Sequence, residues 1–281
     1  MPWVMGRLGI TLLLAGCATT AERMAYRTVD SAAMGRPMEY GVYTPPDFSP
    51  EEQLPLFVFL HGGGGDDAHS LDSNGITEWL DAEIRAGRVP RVVIAAPEGN
   101  RGFWANWADG SRRYEDWVID EVMPKVAAEF HTRPGREGCH VFGISMGGNG
   151  ALRFALAHPH RFASLGVLSG PILDSQGMDQ MMDNWFYRTF ARLERVFGRD
   201  EERKRRSDPY LRWRSPADVD GLKIFFAHGD GDLGGLYEAS AKFERHLLEH
   251  GIAHEYVVFS GGHRWRAWQP MFGAFIRYAL E

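Results

Sequence analysis

Six short apolar runs separated by helical patterns restrict this chain to one kind of architecture. The runs are Leu56–Leu60, Val92–Ala96, His140–Gly143, Ala163–Leu168, Leu222–Ala227 and Glu255–Phe259. Continuous apolar runs of this length suit strands covered on both faces. Between them, apolar residues recur at helical spacing over about 74–87, 113–130, 147–157, 236–250 and 265–280, with Pro124 expected to kink the second helix. Buried strands alternating with helices predict an α/β fold, a mostly parallel central sheet flanked by helices on both faces. Met38–Tyr43 alternates and stops at Pro45-Pro46, so it reads as a peripheral strand. A chain of 281 residues, 44% hydrophobic, accommodates one such domain. Its net charge of -6 gives no electrostatic footprint for nucleic acid.

Gly143-Ile144-Ser145-Met146-Gly147 lies between an apolar run and a helical pattern marked by Ala151, Leu152, Phe154, Ala155 and Leu156. A sharp strand-to-helix turn of this G-x-S-x-G form presents a serine hydroxyl above the sheet edge, and its flanking residues must be small. Ser145 is therefore the expected nucleophile. A hydroxyl is a poor nucleophile until a base takes its proton, and the base needs a third group to orient it. His263, at the end of Ser260-Gly261-Gly262-His263, follows one predicted strand. Asp230 and Asp232, in His228-Gly229-Asp230-Gly231-Asp232, follow another. All stand at C-terminal strand ends, where open α/β sheets build their sites. Either aspartate has the reach for an imidazole; spacing from the strand favours Asp232.

Acyl transfer also needs backbone N–H donors for a developing oxyanion. The amide of Met146 is one expected donor. The other lies in His61-Gly62-Gly63-Gly64-Gly65, where Gly63 is the expected donor and Gly64 the alternative. No Gly-Lys-Ser/Thr follows these glycines, which disfavours a phosphate-binding loop.

Residues 171–215 break the strand–helix rhythm and read as a cap-like insertion. Met178, Met181, Met182, Trp185, Phe186, Tyr187 and Phe190 either line an acyl pocket or pack a stripe of their own, and the charged run Arg199–Arg206 reads as a solvated face. Trp104 and Trp107, with Phe103 and Asn106, follow the loop Pro97–Asn100 at the catalytic edge. They either stack on substrate, as Trp185 also would, or pack beneath the loop. His228 reads as structural, and His158 and His160 as exposed. No histidine–carboxylate set has metal spacing, so no metal or other cofactor is expected.

Arg7 precedes the apolar stretch Leu8–Ala15, too short to span a bilayer, which runs into Leu14-Ala15-Gly16-Cys17. This resembles a bacterial lipoprotein signal. The resemblance implies removal of residues 1–16, lipidation of Cys17, and a tether over 17–35 leading to a domain over 36–281. It also implies a place in the bacterial cell envelope, at the outer membrane facing the periplasm in a Gram-negative host. Cys139 then has no disulfide partner and reads as a buried small hydrophobe.

From residue 36 onward, Leu60–Gly65, Gly143–Gly148, Gly229–Asp232 and Gly261-Gly262-His263-Arg264-Trp265 together resemble the esterase family that includes esterase D, within the α/β-hydrolase superfamily. The resemblance implies that Asp232 is the triad acid and extends to Asp208-Pro209-Tyr210. It implies a serine carboxylic-ester hydrolase acting on a small-molecule or polysaccharide-linked ester through an acyl-enzyme. Since similar families include mycolyltransferases, an acyltransferase with an alcohol or sugar acceptor is the alternative, and a non-catalytic binding lipoprotein a more distant one.

Overall fold

The computed structural model describes residues 23–64, 67–185, 188–189 and 193–281. Cys17, Gly65, Phe186, Tyr187 and Phe190 lie outside the described residues. Eight strands form one sheet: β1 Met24–Ser31, β2 Arg36–Tyr43, β3 Leu56–Leu60, β4 Val93–Pro97, β5 Cys139–Ile144, β6 Ser164–Leu168, β7 Lys223–Gly229 and β8 Glu255–Phe259. Their order across the sheet is β1-β2-β4-β3-β5-β6-β7-β8. The β4-to-β8 stretch is parallel, while β1 and β2 run antiparallel to their neighbours.

The inner apolar runs are strands because both faces are covered, whereas β8, at the edge of the sheet, is largely exposed or half-exposed. In β3, Leu56, Val58 and Leu60 point into one core, while Phe57 and Phe59 point into the other. β7 divides likewise, with Ile224 and Phe226 on the first side and Phe225 and Ala227 on the second. The first core is closed by Met146–Ala157, by Leu236–Glu249 through Phe243 and Leu247, and by the segment around Trp117–Glu129. The second is closed by Ile76–Arg85 and Trp265–Leu280. Each fully buried Phe or Leu contributes about 1.5–3 kcal/mol, so this double burial is what holds the sheet.

The expected tether over 17–35 needs correction, because Met24–Ser31 is β1, paired along its whole length with β2. Its side chains are mostly half-exposed, so it lacks the apolar signature of the inner strands. Pro124 lies inside one continuous helical run, Tyr114–Glu129, directly after its π-helical stretch Trp117–Val122, an irregularity that accommodates the missing N–H.

The chain runs outward from β3 to β4 and then returns to lay β5 on the other side of β3. The C-terminal ends of β3 and β5 therefore flank a crevice at the topological switch point. The opposite end of the sheet receives the start of the fold, because Met24 pairs with Tyr43 and Tyr43 with Ile94.

The insertion is a set of short helices: Ser175–Asp183, Leu193–Phe197, Glu201–Arg206 and Pro209–Arg212. Met178 and Met182 are buried with Leu193, Val196, Phe197 and Ala105 in a third, smaller core. The methionines thus serve packing. Asp208, itself buried, closes the excursion: it accepts from the Ser175 amide and hydroxyl at 2.7 and 2.8 Å and from the Tyr210 amide at 2.9 Å.

Candidate active site

Ser145 sits at the junction of β5 and the helix Met146–Ala157 with φ 53° and ψ -120°. A non-glycine residue held there stores about 1–3 kcal/mol of strain, so the surroundings must fix it. They do so by close backbone contact. A Cβ on Gly147 would stand 1.8 Å from the Leu60 carbonyl oxygen, and one on Gly143 would stand 2.3 Å from the Gly147 oxygen. The Ser145 amide donates to the Leu168 carbonyl at 2.8 Å, tying the turn to β6. The glycines of the pentapeptide let the end of β3 pack directly against the turn.

His263 reaches this turn from the loop after β8. Its Nε2 lies 2.8 Å from Ser145 Oγ, and its Nδ1 lies 2.7 Å from Asp232 Oδ1. Asp232 follows β7, and its side chain is 1% exposed. Burial pushes its carboxyl pKa up, but hydrogen bonds from His263, Ser169 and the Leu233 and Gly229 amides outweigh this and hold it at about 2. Asp232 is therefore an anion at neutral pH. It fixes the imidazole with its proton on Nδ1 and leaves Nε2 free to accept from Ser145. The edge of the His263 ring arrangement is closed by Trp268, whose ring centroid lies 4.8 Å away at 84°.

Asp230 has a different partner. Its Oδ1 accepts from the Gly261 amide at 2.9 Å, while the Gly231 amide donates to the Gly261 carbonyl at 2.9 Å. These bonds clamp the loop carrying the base to the loop carrying the acid. The approach is close: a Cβ on Gly229 would lie 2.1 Å from the Gly261 oxygen.

Met146 is the first residue of its helix, so its amide has no partner within the helix. Gly63 lies beside it; a Cβ there would be 3.8 Å from Met146 Sδ. The loop is set by His61, which is buried. Its Nδ1 donates to the Gly62 carbonyl at 2.8 Å, and its Nε2 accepts from the Gly99 amide at 3.0 Å. Burial pushes the His61 pKa down to about 4, so it is neutral.

The aromatic residues divide. Trp104 is fully buried, in a slot that Gly99 and Gly150 leave open, and its Nε1 donates to the His61 carbonyl at 3.1 Å. It offers no face to a ligand, which corrects the expectation of substrate stacking; it braces the glycine loop from beneath. Trp107 is half-buried, donates to the Gly102 carbonyl at 3.1 Å, and lies under the Arg195 guanidinium. Trp185 is 66% exposed, at the insertion's surface. His228 is buried between the Gly229 carbonyl and the Tyr256 hydroxyl, a structural residue as expected, and Cys139 is buried with its thiol pushed up to about 12. His158 is only partly exposed, 2.8 Å from Glu115.

Sequence reasoning missed Ser169. It follows β6 at φ 50°, donates to Asp232 Oδ2, and accepts from Trp268 Nε1 at 2.8 Å. Its place just beyond a strand end, level with the other site loops, was the only available signal. Among the described residues, no group of three or more His, Cys, Asp or Glu side chains is placed to hold a metal ion.

The sequence model of the family described as Putative esterase matches residues 31–278. The chain belongs to the Putative esterase family. Esterase Rv1288 of Mycobacterium tuberculosis is 31% identical over 154 residues, a match covering 53% of this chain and 32% of that protein. The chain thus spans about a third of the length of that relative. The acetyl esterase of Caldicellulosiruptor saccharolyticus is 23% identical, with 77% of this chain and 80% of that one covered. Among solved structures, the fluorophosphonate-binding serine hydrolase FphF of Staphylococcus aureus superimposes with a TM-score of 0.74 at 21% identity, covering 92% of this chain and 98% of that one. The fold is thus the α/β-hydrolase fold of esterases.

Proposed function

We propose that this esterase-family chain is a serine carboxylic-ester hydrolase. The observation that carries the reading is the unbroken line from Ser145 Oγ through the His263 ring to Asp232, at 2.8 and 2.7 Å. Ser145 Oγ attacks the ester carbonyl carbon as its proton passes to His263 Nε2. The carbonyl π electrons move to oxygen, and the amides of Gly63 and Met146 receive that oxyanion. Collapse breaks the bond to the alcohol oxygen, which leaves with the proton from His263. Water then repeats the sequence on the acyl-enzyme and restores Ser145. Asp232 stays ionised throughout and stabilises the transient imidazolium. No cofactor enters these steps.

The substrate class we propose is a small-molecule or polysaccharide-linked carboxylic ester. Support comes from relatives whose names include an acetyl esterase and the feruloyl esterase C of Emericella nidulans, 25% identical over 135 residues. Attachment to the cell envelope through a lipidated Cys17 rests on the Leu14–Cys17 motif, and no described helix is long and apolar enough to cross a membrane. The test is labelling of Ser145 by a fluorophosphonate, combined with a panel of p-nitrophenyl esters from acetate to long acyl chains and ferulate. Hydrolysis of none of these esters, or labelling that persists in Ser145→Ala, would refute the proposal.

A further inference from the structure

A cavity of about 500 Å³ lies between the insertion and the far half of the helix that begins after Ser145. Four arginines line it: Arg153 from that helix, and Arg203, Arg206 and Arg212 from the insertion. Arg153 stands eight residues beyond Ser145, roughly 12 Å along the helix axis. The cavity is therefore separate from the line of Ser145, His263 and Asp232.

Its lining carries four guanidinium groups against three carboxylates, Glu115, Asp200 and Glu202. Arg206 is paired with Glu202 at 3.0 Å. The other two lining carboxylates are also engaged: Asp200 caps a helix by accepting from the Arg203 amide at 2.8 Å, and Glu115 lies 2.8 Å from His158. The remaining three guanidinium groups bond only to neutral oxygens among the described residues. Arg203 donates to the Asn106 carbonyl at 2.7 Å, and Arg212 reaches the Leu156 and Arg206 carbonyls only at 3.5 and 3.4 Å.

Arg153 is the decisive member. It is 91% removed from solvent, its Nη1 donates to Ser207 Oγ at 2.8 Å, and its Nε has no hydrogen-bond partner. Its guanidinium sits 5.0 Å from the centre of the Phe197 ring. Burial pulls its pKa down to about 10, which still leaves it charged at neutral pH. Glu115 attracts it across the cavity, but no carboxylate among the described residues hydrogen-bonds it; a buried charge so placed is costly, and planar guanidinium forks match tetrahedral oxyanions.

We propose that this cavity binds a phosphate-type oxyanion, held by Arg153, Arg203 and Arg212, which fastens the insertion to the helix behind Ser145. The shared chemistry fits free inorganic phosphate and the phosphate group of a monoester alike.

The test is isothermal titration of the intact protein with sodium phosphate and, separately, with glycerol 3-phosphate, alongside melting curves in sodium chloride of matched ionic strength. Wild type is expected to bind and to melt higher with phosphate than with chloride. Arg203→Gln and Arg212→Gln, on partly or fully exposed side chains, should each weaken binding about tenfold, as expected for loss of one charge-assisted contact. Arg153→Met, which keeps the apolar stem against Phe197, should abolish binding if it folds; the two surface variants decide the question if it does not. Tighter binding of glycerol 3-phosphate identifies a monoester as the occupant, and tighter binding of phosphate identifies the free ion. Equal melting in phosphate and chloride, or unchanged affinity in Arg203→Gln and Arg212→Gln, would overturn the proposal.

Discussion

Ser169 donates a hydrogen bond to the Asp232 oxygen that His263 does not use, and receives one from the Trp268 indole at 2.8 Å. The carboxylate is thus gripped from both sides, and its plane is fixed relative to the imidazole. Ser169→Ala removes the grip and leaves the Trp268 N–H without its acceptor. Losing a hydrogen bond to a charged group costs about 1.5 kcal/mol, so kcat should fall about tenfold with KM nearly unchanged. Steady-state kinetics on a p-nitrophenyl ester measures this. An unchanged kcat would mean that the backbone amides orient Asp232 by themselves.

Ser145→Ala should lower kcat by about four to six orders of magnitude while the protein remains folded. The strained φ of 53° at this position adds a second expectation. Ser145→Gly should be equally inactive but more stable than Ser145→Ala by about 1 kcal/mol, because glycine accepts positive φ without cost. Urea unfolding of the two variants compares them directly.

The glycine-rich site segments are not interchangeable. Gly147→Ala drives a methyl group to within 1.8 Å of the Leu60 carbonyl, so β3 and the nucleophile turn cannot both keep their places. This variant should lose more than about 3 kcal/mol or fail to fold. Gly64→Ala meets nothing within 4 Å, and its stability should stay within about 0.5 kcal/mol of wild type. Soluble yield and urea midpoints separate the two cases.

Acid should destabilise the fold in a defined window. His61 and His140 are buried, and burial pushes both pKa values down to about 4, with Arg133 and Lys223 adding to the effect at His140. Their folded pKa lies below the unfolded value of about 6.5, so unfolding takes up protons in acid. Stability is therefore full above pH ~6.5 and declines as pH falls toward ~4, by at most about 3 kcal/mol for each histidine. Asp232, held at about 2, contributes in the same direction but lower: its share is lost as pH falls from about 4 to 2. Unfolding free energies between pH 7 and 4.5 test this, and His140→Leu should flatten the slope by about half.

If Cys17 carries the lipid, as we propose, Cys17→Ala should move the protein from the membrane fraction to the soluble fraction with its kcat intact. A protein that stays membrane-bound after this substitution would refute the anchor.

The inner strands were legible because burial on both faces leaves an unmistakable apolar run; Leu56–Leu60 has the expected bounds, and so does the edge strand Glu255–Phe259, whose Tyr, Val and Phe side chains form a run although most are partly exposed. β1 was illegible because Arg27, Thr28, Asp30 and Ser31 interrupt any apolar run. Ser145, His263 and Asp232 were readable from their positions after strands, and the structure brings all three together. Ser169 was not readable, since its contact with Asp232 joins loops 63 residues apart. Trp104 misled for a related reason. Sequence places an indole at the catalytic edge but does not reveal its direction, which Gly99 and Gly150 set by opening a slot beneath the loop.

The register of the first two strands has a consequence for access. Met24 enters the sheet level with Tyr43 and Ile94, at the end remote from the Ser145 turn. Six residues lie between Cys17 and Met24, seven Cα steps with a reach of at most about 25 Å. A bilayer holding Cys17 would then face the floor of the domain, and the mouth of the site would open toward the aqueous compartment. Such an orientation suits esters arriving from solution or from a polymer overhead, and disfavours acyl chains still embedded in the anchoring leaflet.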